Sequence, residues 1–297
     1  MTARCRDDCL RSGEPLAGTA GAPAAWFGIS WPKPRWHPED KARSDGLPPA
    51  LARLEAAQRD AGRKIALRLF QREARPSTDR VEVFAFRPRE RALETAHLAL
   101  EDLAPRLERW LAGEGVFEPC SERLLLVCTD GRHDRCCAEH GRPLLESLRA
   151  VTRGHDAWTV LESSHIGGHR FAANCLALPE GHLYGRLAPA DAAPLFAAVS
   201  QGEVWKPGYR GRLGLSEPEQ AAEAWLCGRF PDAASIETRP AEGEDETRRV
   251  PAVVHWRGDK REVVVSLATR PFGALESCGA AEPVARTRWI ATGLEPH

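Results

Sequence analysis

The first dense apolar run, Trp26–Trp31, is stopped by Pro32 and Pro34. In Pro48–Asp60, Leu51, Leu54 and Ala57 are spaced for one face of a helix. The runs Lys64–Gln71 and Arg80–Phe86 read as strands parted by the turn signal Pro76-Ser77-Thr78-Asp79. Leu98, Leu100, Leu103, Leu107 and Leu111 give Leu93–Leu111 the pattern of one long helix. Residues 1–24, rich in Gly, Ala, Arg and Ser and without periodicity, read as a mobile lead-in.

The middle third opens on Arg123–Val127, a short strand-like run that ends at Cys128. A loop leads to Cys136 and Cys137 and then to a helix pattern through Leu144, Leu145 and Leu148. Trp158–Leu161 reads as a strand, Asn174–Leu178 and His182–Leu187 as a hairpin around Pro179-Glu180-Gly181, and Pro189–Val199 as a helix. The order β-α-β-β-β-α is that of thioredoxin-like domains. The first third has a similar order, as a degenerate duplication would produce, although no residue-level repeat is visible. In the last third a helix pattern, Glu217–Cys227, precedes three strand-like runs. Val250–Trp256 and Arg261–Leu267 flank the turn signal Arg257-Gly258-Asp259-Lys260, and the charged stretch Ala241–Arg249 reads as a solvated loop.

This divides the chain into a lead-in (1–24), an N-terminal α/β region (25–114), a thioredoxin-like domain (115–200) and a C-terminal α+β region (201–297). A length of 297 residues agrees with about two domains. With 41 Lys+Arg against 42 Asp+Glu there is no general pull toward nucleic acid or an anionic membrane. No run approaches the roughly 18–20 apolar residues of a membrane span. The charged Met1–Asp8 segment precedes no apolar signal core, so the expected compartment is the cytoplasm. Nine cysteines in such a compartment are either buried apolar residues or chemistry.

The chemistry is concentrated where Cys128-Thr-Asp-Gly-Arg-His-Asp-Arg-Cys136-Cys137 meets His165-Ile-Gly-Gly-His169. Gly167 and Gly168 disfavour a helix between the histidines and suit a tight loop that turns both rings toward one point. If the strands before Cys128 and His165 are neighbours, the four side chains meet at one end of the sheet. Two thiolates and two neutral imidazoles suit a zinc ion or an iron–sulfur cluster, and ligand type does not separate the two.

The segments 127–144 and 163–174, with Leu-Pro-Glu-Gly at 178–181 and Tyr-Gly-Arg-Leu at 184–187, resemble the sucrase/ferredoxin-like family. Cys5 and Glu-Pro-Leu-Ala-Gly-Thr-Ala at 14–20 extend the resemblance over most of the chain. It implies a thioredoxin-like ferredoxin with a [2Fe–2S] cluster held by Cys128, His165, His169 and one of Cys136 or Cys137. Cys137, three positions after Asp134 and followed by Ala138, fits the family pattern better; Cys136 is the alternative. The function implied is one-electron transfer to and from a redox partner protein, and the alternative is a structural Cys2His2 zinc site in an interaction module. No placed carboxylate pair supports a sucrase activity.

Two ferric ions and two sulfides carry a charge of +2, which four thiolates turn to −2 and two thiolates with two neutral imidazoles to zero. Adding an electron to the neutral site costs less in a low-dielectric surround, so a higher potential is expected, as is proton uptake on the free ring nitrogens. Adjacency suggests that Asp134 bonds to a ligand histidine and Arg170 to cluster sulfur. His133 and His140, which flank the cysteine loop, read as solvent-exposed, with bonding to the ligands as the alternative. Cys5 and Cys9 are spaced for a metal clamp but read more simply as a free, reducible pair, and Cys120, Cys175, Cys227 and Cys278 read as isolated small residues. The basic aromatic segment Trp205–Arg212 reads as a linker or as a loop that docks an acidic partner.

Overall fold

The structure, a computed structural model, describes residues 4–72 and 77–296. Pro76 of the expected turn and Met1–Ala3 of the lead-in lie outside the described residues. What remains of the lead-in is ordered: helix α1 (Cys5–Ser12) buries Cys5 and Cys9, which is why a mobile segment is the wrong description.

The first third contains β1 (Ala25–Ser30), α2 (Ala50–Asp60), β2 (Ile65–Gln71), β3 (Arg80–Arg87), β4 (Ala92–Ala99) and α3 (Leu103–Leu111). After the two-residue β5 (Glu118–Pro119) come β6 (Arg123–Cys128), α4 (Arg135–Val151), β7 (Trp158–Ser163), β8 (Cys175–Leu178), β9 (His182–Tyr184) and α5 (Ala192–Ser200). The expected helix Leu93–Leu111 is therefore two elements. Its first half pairs as β4 along the whole of β3, from Arg80 opposite Ala99 to Arg87 opposite Ala92, and this pairing overrides the helical spacing of its leucines.

In each half the first two strands are parallel neighbours and the third runs antiparallel beside the first, giving β2-β1-β3-β4 and β7-β6-β8-β9. These are two thioredoxin-like units, joined edge to edge where β2 meets β7. The duplication absent from the residues is present in the topology.

The alternation along strands explains the layers. Phe27 and Ile29 of β1 enter one core with Leu51, Leu54, Leu103 and Leu107 of α2 and α3. Leu125 and Val127 of β6 enter another with Leu144, Leu148 and Leu195 of α4 and α5. The opposite face of both halves shares a third cluster, in which Trp26, Phe70, Phe84, Leu124, Leu126 and Cys128 take part.

The last third adds β10 (Tyr209–Arg212), which pairs with β9 and extends the large sheet to ten strands. Helix α6 (Glu217–Arg229) packs Ala221, Ala222 and Leu226 on a second, antiparallel sheet of β11 (Ser235–Thr238), β12 (Thr247–Trp256), β13 (Asp259–Leu275) and β14 (Pro283–Pro296). Arg257 and Gly258, at φ 53° and 84°, make the two-residue turn between β12 and β13. The fourth strand was not expected, because Pro283, Arg286, Arg288 and Gly293 interrupt any apolar alternation. Among the described residues no helix is long and apolar enough to cross a membrane.

Glu14 ties these parts together. It is 1% exposed, accepts from Arg170 Nε and Nη2 at 2.8 and 2.9 Å, and from Arg288 Nε at 2.7 Å. Burial pushes its carboxyl up, but the two guanidiniums outweigh this and hold it at about 2. Glu14→Gln is expected to cost about 3–5 kcal/mol at neutral pH, because Arg170 loses its counter-charge and Arg288 keeps only the longer pair with Glu217, at 3.8 Å. The carboxylate's contribution is complete above its ordinary value of 4.5 and is lost as the pH falls toward about 2. Urea unfolding of both proteins across that window checks this, and a difference that does not shrink in acid contradicts it.

Candidate metal centre

Cys128 ends β6, opposite Ser163 in the parallel pair with β7, so the chain leaves both strands at the same end of the sheet. Helix α4 begins there, and Asp134 caps it by accepting the Cys136 N–H at 2.8 Å. The stripe Cys137, Gly141, Leu144 and Leu148 lies along its buried side. Gly141 is required there, since a Cβ would lie 2.0 Å from the Cys128 carbonyl oxygen. This close crossing puts Cys137 beside Cys128.

The loop after β7 brings the histidines to the same place. The ligand atoms of Cys128, Cys137 and His165 all lie within 4.8 Å of one another, as do those of His133, His165 and His169. The Cys137 sulfur is 3.6 Å from His165 Nδ1. His169 Nε2 bonds to the carbonyl of Glu276, in the turn between β13 and β14, while its Nδ1 is buried with no partner among the described residues. A ring whose one nitrogen is held by a carbonyl and whose other is buried and bare has the arrangement of a metal-ligating histidine.

The local electrostatics suit ligands. Cys137 donates to Cys128 and, with the N–H groups of Asp130 and Ile166, holds the Cys128 thiol below its usual range despite burial. The same bond and burial push Cys137 up. Burial, with His133 and His169 nearby, holds His165 well below the usual imidazole range, so it is neutral at pH 7. Asp130 fixes the loops: its carboxylate accepts from the N–H of His133 at 3.3 Å and of His165 at 3.2 Å, and pairs with Lys41 at 2.6 Å in a buried bridge.

Gly167 and Gly168 do make a tight loop, at φ 101° and 72°. A Cβ on Gly168 would stand 2.5 Å from Arg210 Nη2, so the bulky neighbour is a guanidinium. Arg210 donates to the Gly167 carbonyl at 2.9 Å and to Asn174 Oδ1 at 2.8 Å, and Asn174 donates to the Gly168 carbonyl at 3.0 Å. Of the basic residues in Trp205–Arg212, Lys206 is exposed, while the two arginines do not face solvent. Arg210 and Arg212 are buried in β10, and Arg212 is paired with Glu223.

Other expectations also change. His133 is not a solvent-facing ring: it stacks on His165 with centroids 3.7 Å apart, and its Nδ1 lies 2.8 Å from the Pro38 carbonyl. Arg170 is spent on Glu14 rather than on sulfur. Asp134, expected at a histidine, is bonded to the N–H groups of Cys136 and Cys278. Burial raises its carboxyl, and these bonds outweigh that and hold it below the usual range. Cys136 faces away from Cys137 and groups with Cys5, Cys278 and Asp134, so Cys278 is not isolated and Cys5 meets Cys136 while Cys9 bonds to Glu14. Sequence reading gave no role to Lys41 and Glu276, which lie far from the motif and act at long range or through the backbone, nor to Asp130, which lies inside the quoted Cys128–Cys137 motif. His133, which flanks the cysteine loop, takes the alternative of its two readings, against a candidate ligand.

A model of the sucrase/ferredoxin-like family matches residues 16–211, well over half of the chain. The chain belongs to the sucrase/ferredoxin-like family. A search of curated proteins gave no match. Among solved structures, a thioredoxin-like [2Fe–2S] ferredoxin from Aquifex aeolicus is 11% identical, covering 31% of this chain and 94% of its own, with a TM-score of 0.28. A second structure of that ferredoxin, the wild type, is 13% identical over 31% of this chain and 100% of its own, with a TM-score of 0.29.

Proposed function

We propose that this family member is an electron-transfer protein whose [2Fe–2S] cluster is held by Cys128, Cys137, His165 and His169. The observation that carries the reading is the bare, buried Nδ1 of His169, in a histidine group that shares His165 with the Cys128–Cys137 pair. The donor set fits: two thiols, one already biased toward thiolate, and a neutral imidazole in His165. When bound, such a cluster takes up and gives back single electrons. The chain's own residues set the conditions. Helix α4 and the Gly167-Gly168 loop fix the ligands, Asp130 anchors the backbones of His133 and His165, and the Glu276 carbonyl keeps the proton of His169 on Nε2. Protons on ring nitrogens that face away from metal are the ones that exchange with the redox state.

The test is the reduction potential of wild type and of His169→Cys between about pH 6 and 9. The wild type is expected to fall in potential as the pH rises. The variant, with one more negative ligand, is expected to lie lower by on the order of 100–300 mV and to respond less to pH. A wild-type potential flat across that range removes the proton from the account. Equal potentials in the two proteins remove His169.

A further inference from the structure

The second group of soft ligands lies outside the proposed cluster, and it is built from three distant parts of the chain. Cys5 comes from the first turn of α1, Cys136 from the first turn of α4, and Cys278 from the turn between β13 and β14. Their sulfurs form a triangle with sides of 3.6 Å (Cys5–Cys136), 3.2 Å (Cys136–Cys278) and 3.7 Å (Cys278–Cys5). Asp134 Oδ1 caps it, 3.7 Å from the Cys5 sulfur and 3.2 Å from that of Cys278. A tetrahedral zinc ion with Zn–S bonds of about 2.3 Å needs sulfur–sulfur edges of about 3.8 Å and sulfur–oxygen edges of about 3.5 Å. The triangle is close to that size, while a disulfide would need its sulfurs at about 2.05 Å.

Two backbone donors reach the sulfurs. The N–H of Cys5 donates to the Cys278 sulfur and that of Arg6 to the Cys136 sulfur. These are groups of the first turn of α1, which have no acceptor within the helix. Asp134 is fixed from both sides, by the Cys136 N–H at 2.8 Å and the Cys278 N–H at 2.9 Å. Three sulfurs and one carboxylate select a soft, four-coordinate divalent cation over magnesium or calcium.

We infer that Cys5, Cys136, Cys278 and Asp134 form a structural zinc site, separate from the proposed cluster, that clasps the N-terminal helix and the β13–β14 turn onto α4. The clasp has a consequence for the neighbouring centre, since Glu276, two residues before Cys278, holds His169. Zinc at this site would fix the turn that orients a cluster ligand.

The test is zinc content after dialysis against a mild chelator, on the full chain, in wild type, Cys5→Ser, Cys278→Ser and the cluster-site double variant Cys128→Ser/His165→Ala. Wild type and the double variant are expected to keep one zinc per chain, and Cys5→Ser and Cys278→Ser to lose it at least tenfold. Cobalt exchanged into the double variant, which lacks cluster colour, should show the visible bands of tetrahedral cobalt–thiolate. Stripping zinc from the wild type should expose three further thiols to a thiol reagent, a readout that does not depend on a variant folding. No zinc in wild type or double variant after dialysis against the metal overturns the inference, as does zinc unaffected by Cys5→Ser and Cys278→Ser. Zinc lost from the double variant alone places the metal at the other centre and overturns the proposed cluster as well. A disulfide between Cys136 and Cys278 in the freshly purified, zinc-free protein also overturns the clasp.

Discussion

Cys137→Ser is expected to be purified without iron or acid-labile sulfide, while Cys136→Ser keeps both. The two cysteines are neighbours in sequence, yet on a helix they point about 100° apart. Only one of them can face Cys128. Cys137 lies on the stripe with Gly141, Leu144 and Leu148, and its ligand atom is within 4.8 Å of those of Cys128 and His165. Cys136 is turned toward Cys5 and Cys278 instead. A serine hydroxyl is a poor replacement for a thiolate on a soft metal. The loss in Cys137→Ser should therefore exceed about a hundredfold, beyond the 10–100-fold typical of removing an outer partner of a ligand. Iron retained in Cys137→Ser and lost in Cys136→Ser would reverse the assignment.

Gly141→Ala is expected to be the most damaging small substitution in the described structure near the centre. Alanine favours a helix over glycine by about 1 kcal/mol, so an exposed site would gain from the change. Here the new Cβ falls 2.0 Å from the Cys128 carbonyl oxygen and 3.0 Å from its carbonyl carbon. Both are backbone atoms, so no rotamer change relieves the contact and either α4 or the end of β6 must move. The expected cost is about 3 kcal/mol or more, together with loss of bound iron, because the movement separates Cys137 from Cys128. Gly228→Ala in α6 is the control: nothing lies within 4 Å of its Cβ position, and a gain of about 0.5–1 kcal/mol is expected. Thermal or urea unfolding of the pair checks the contrast. Similar stabilities would mean that α4 and β6 do not cross closely.

The second thioredoxin-like unit was legible because its elements are short, dense and punctuated. Leu124–Val127 cannot be mistaken for a surface segment, and Pro179-Glu180-Gly181 marks its hairpin. The meeting of Cys128 with Cys137 and His165 also follows once the strands before Cys128 and His165 are neighbours, whereas His169 groups with His133 and His165 and not with the two cysteines. Helix α1 was hidden because Arg, Asp and Ser dominate it and only Cys5 and Cys9 are buried. A cysteine counts weakly as an apolar signal, so the helix showed no stripe. β4 was hidden because its two leucines, Leu93 and Leu98, enter cores on opposite faces of the sheet and leave no alternation along one face. Its strand character comes from β3, a neighbour that local spacing does not contain. Cys136 against Cys137 was decidable in principle, since 137, 141, 144 and 148 form the buried stripe of α4. Cys278 was not, because its partners lie 142 and 273 residues away.

The most direct measurement is the electron paramagnetic resonance of the anaerobically purified, chemically reduced protein, grown once with natural and once with nitrogen-15 histidine. The account predicts a single half-spin signal, from two irons and two sulfides per chain, with strong hyperfine coupling to two histidine nitrogens. A signal without that coupling would contradict ligation by His165 and His169. A colourless, signal-free protein holding zinc at Cys128, Cys137, His165 and His169 would contradict the cluster itself.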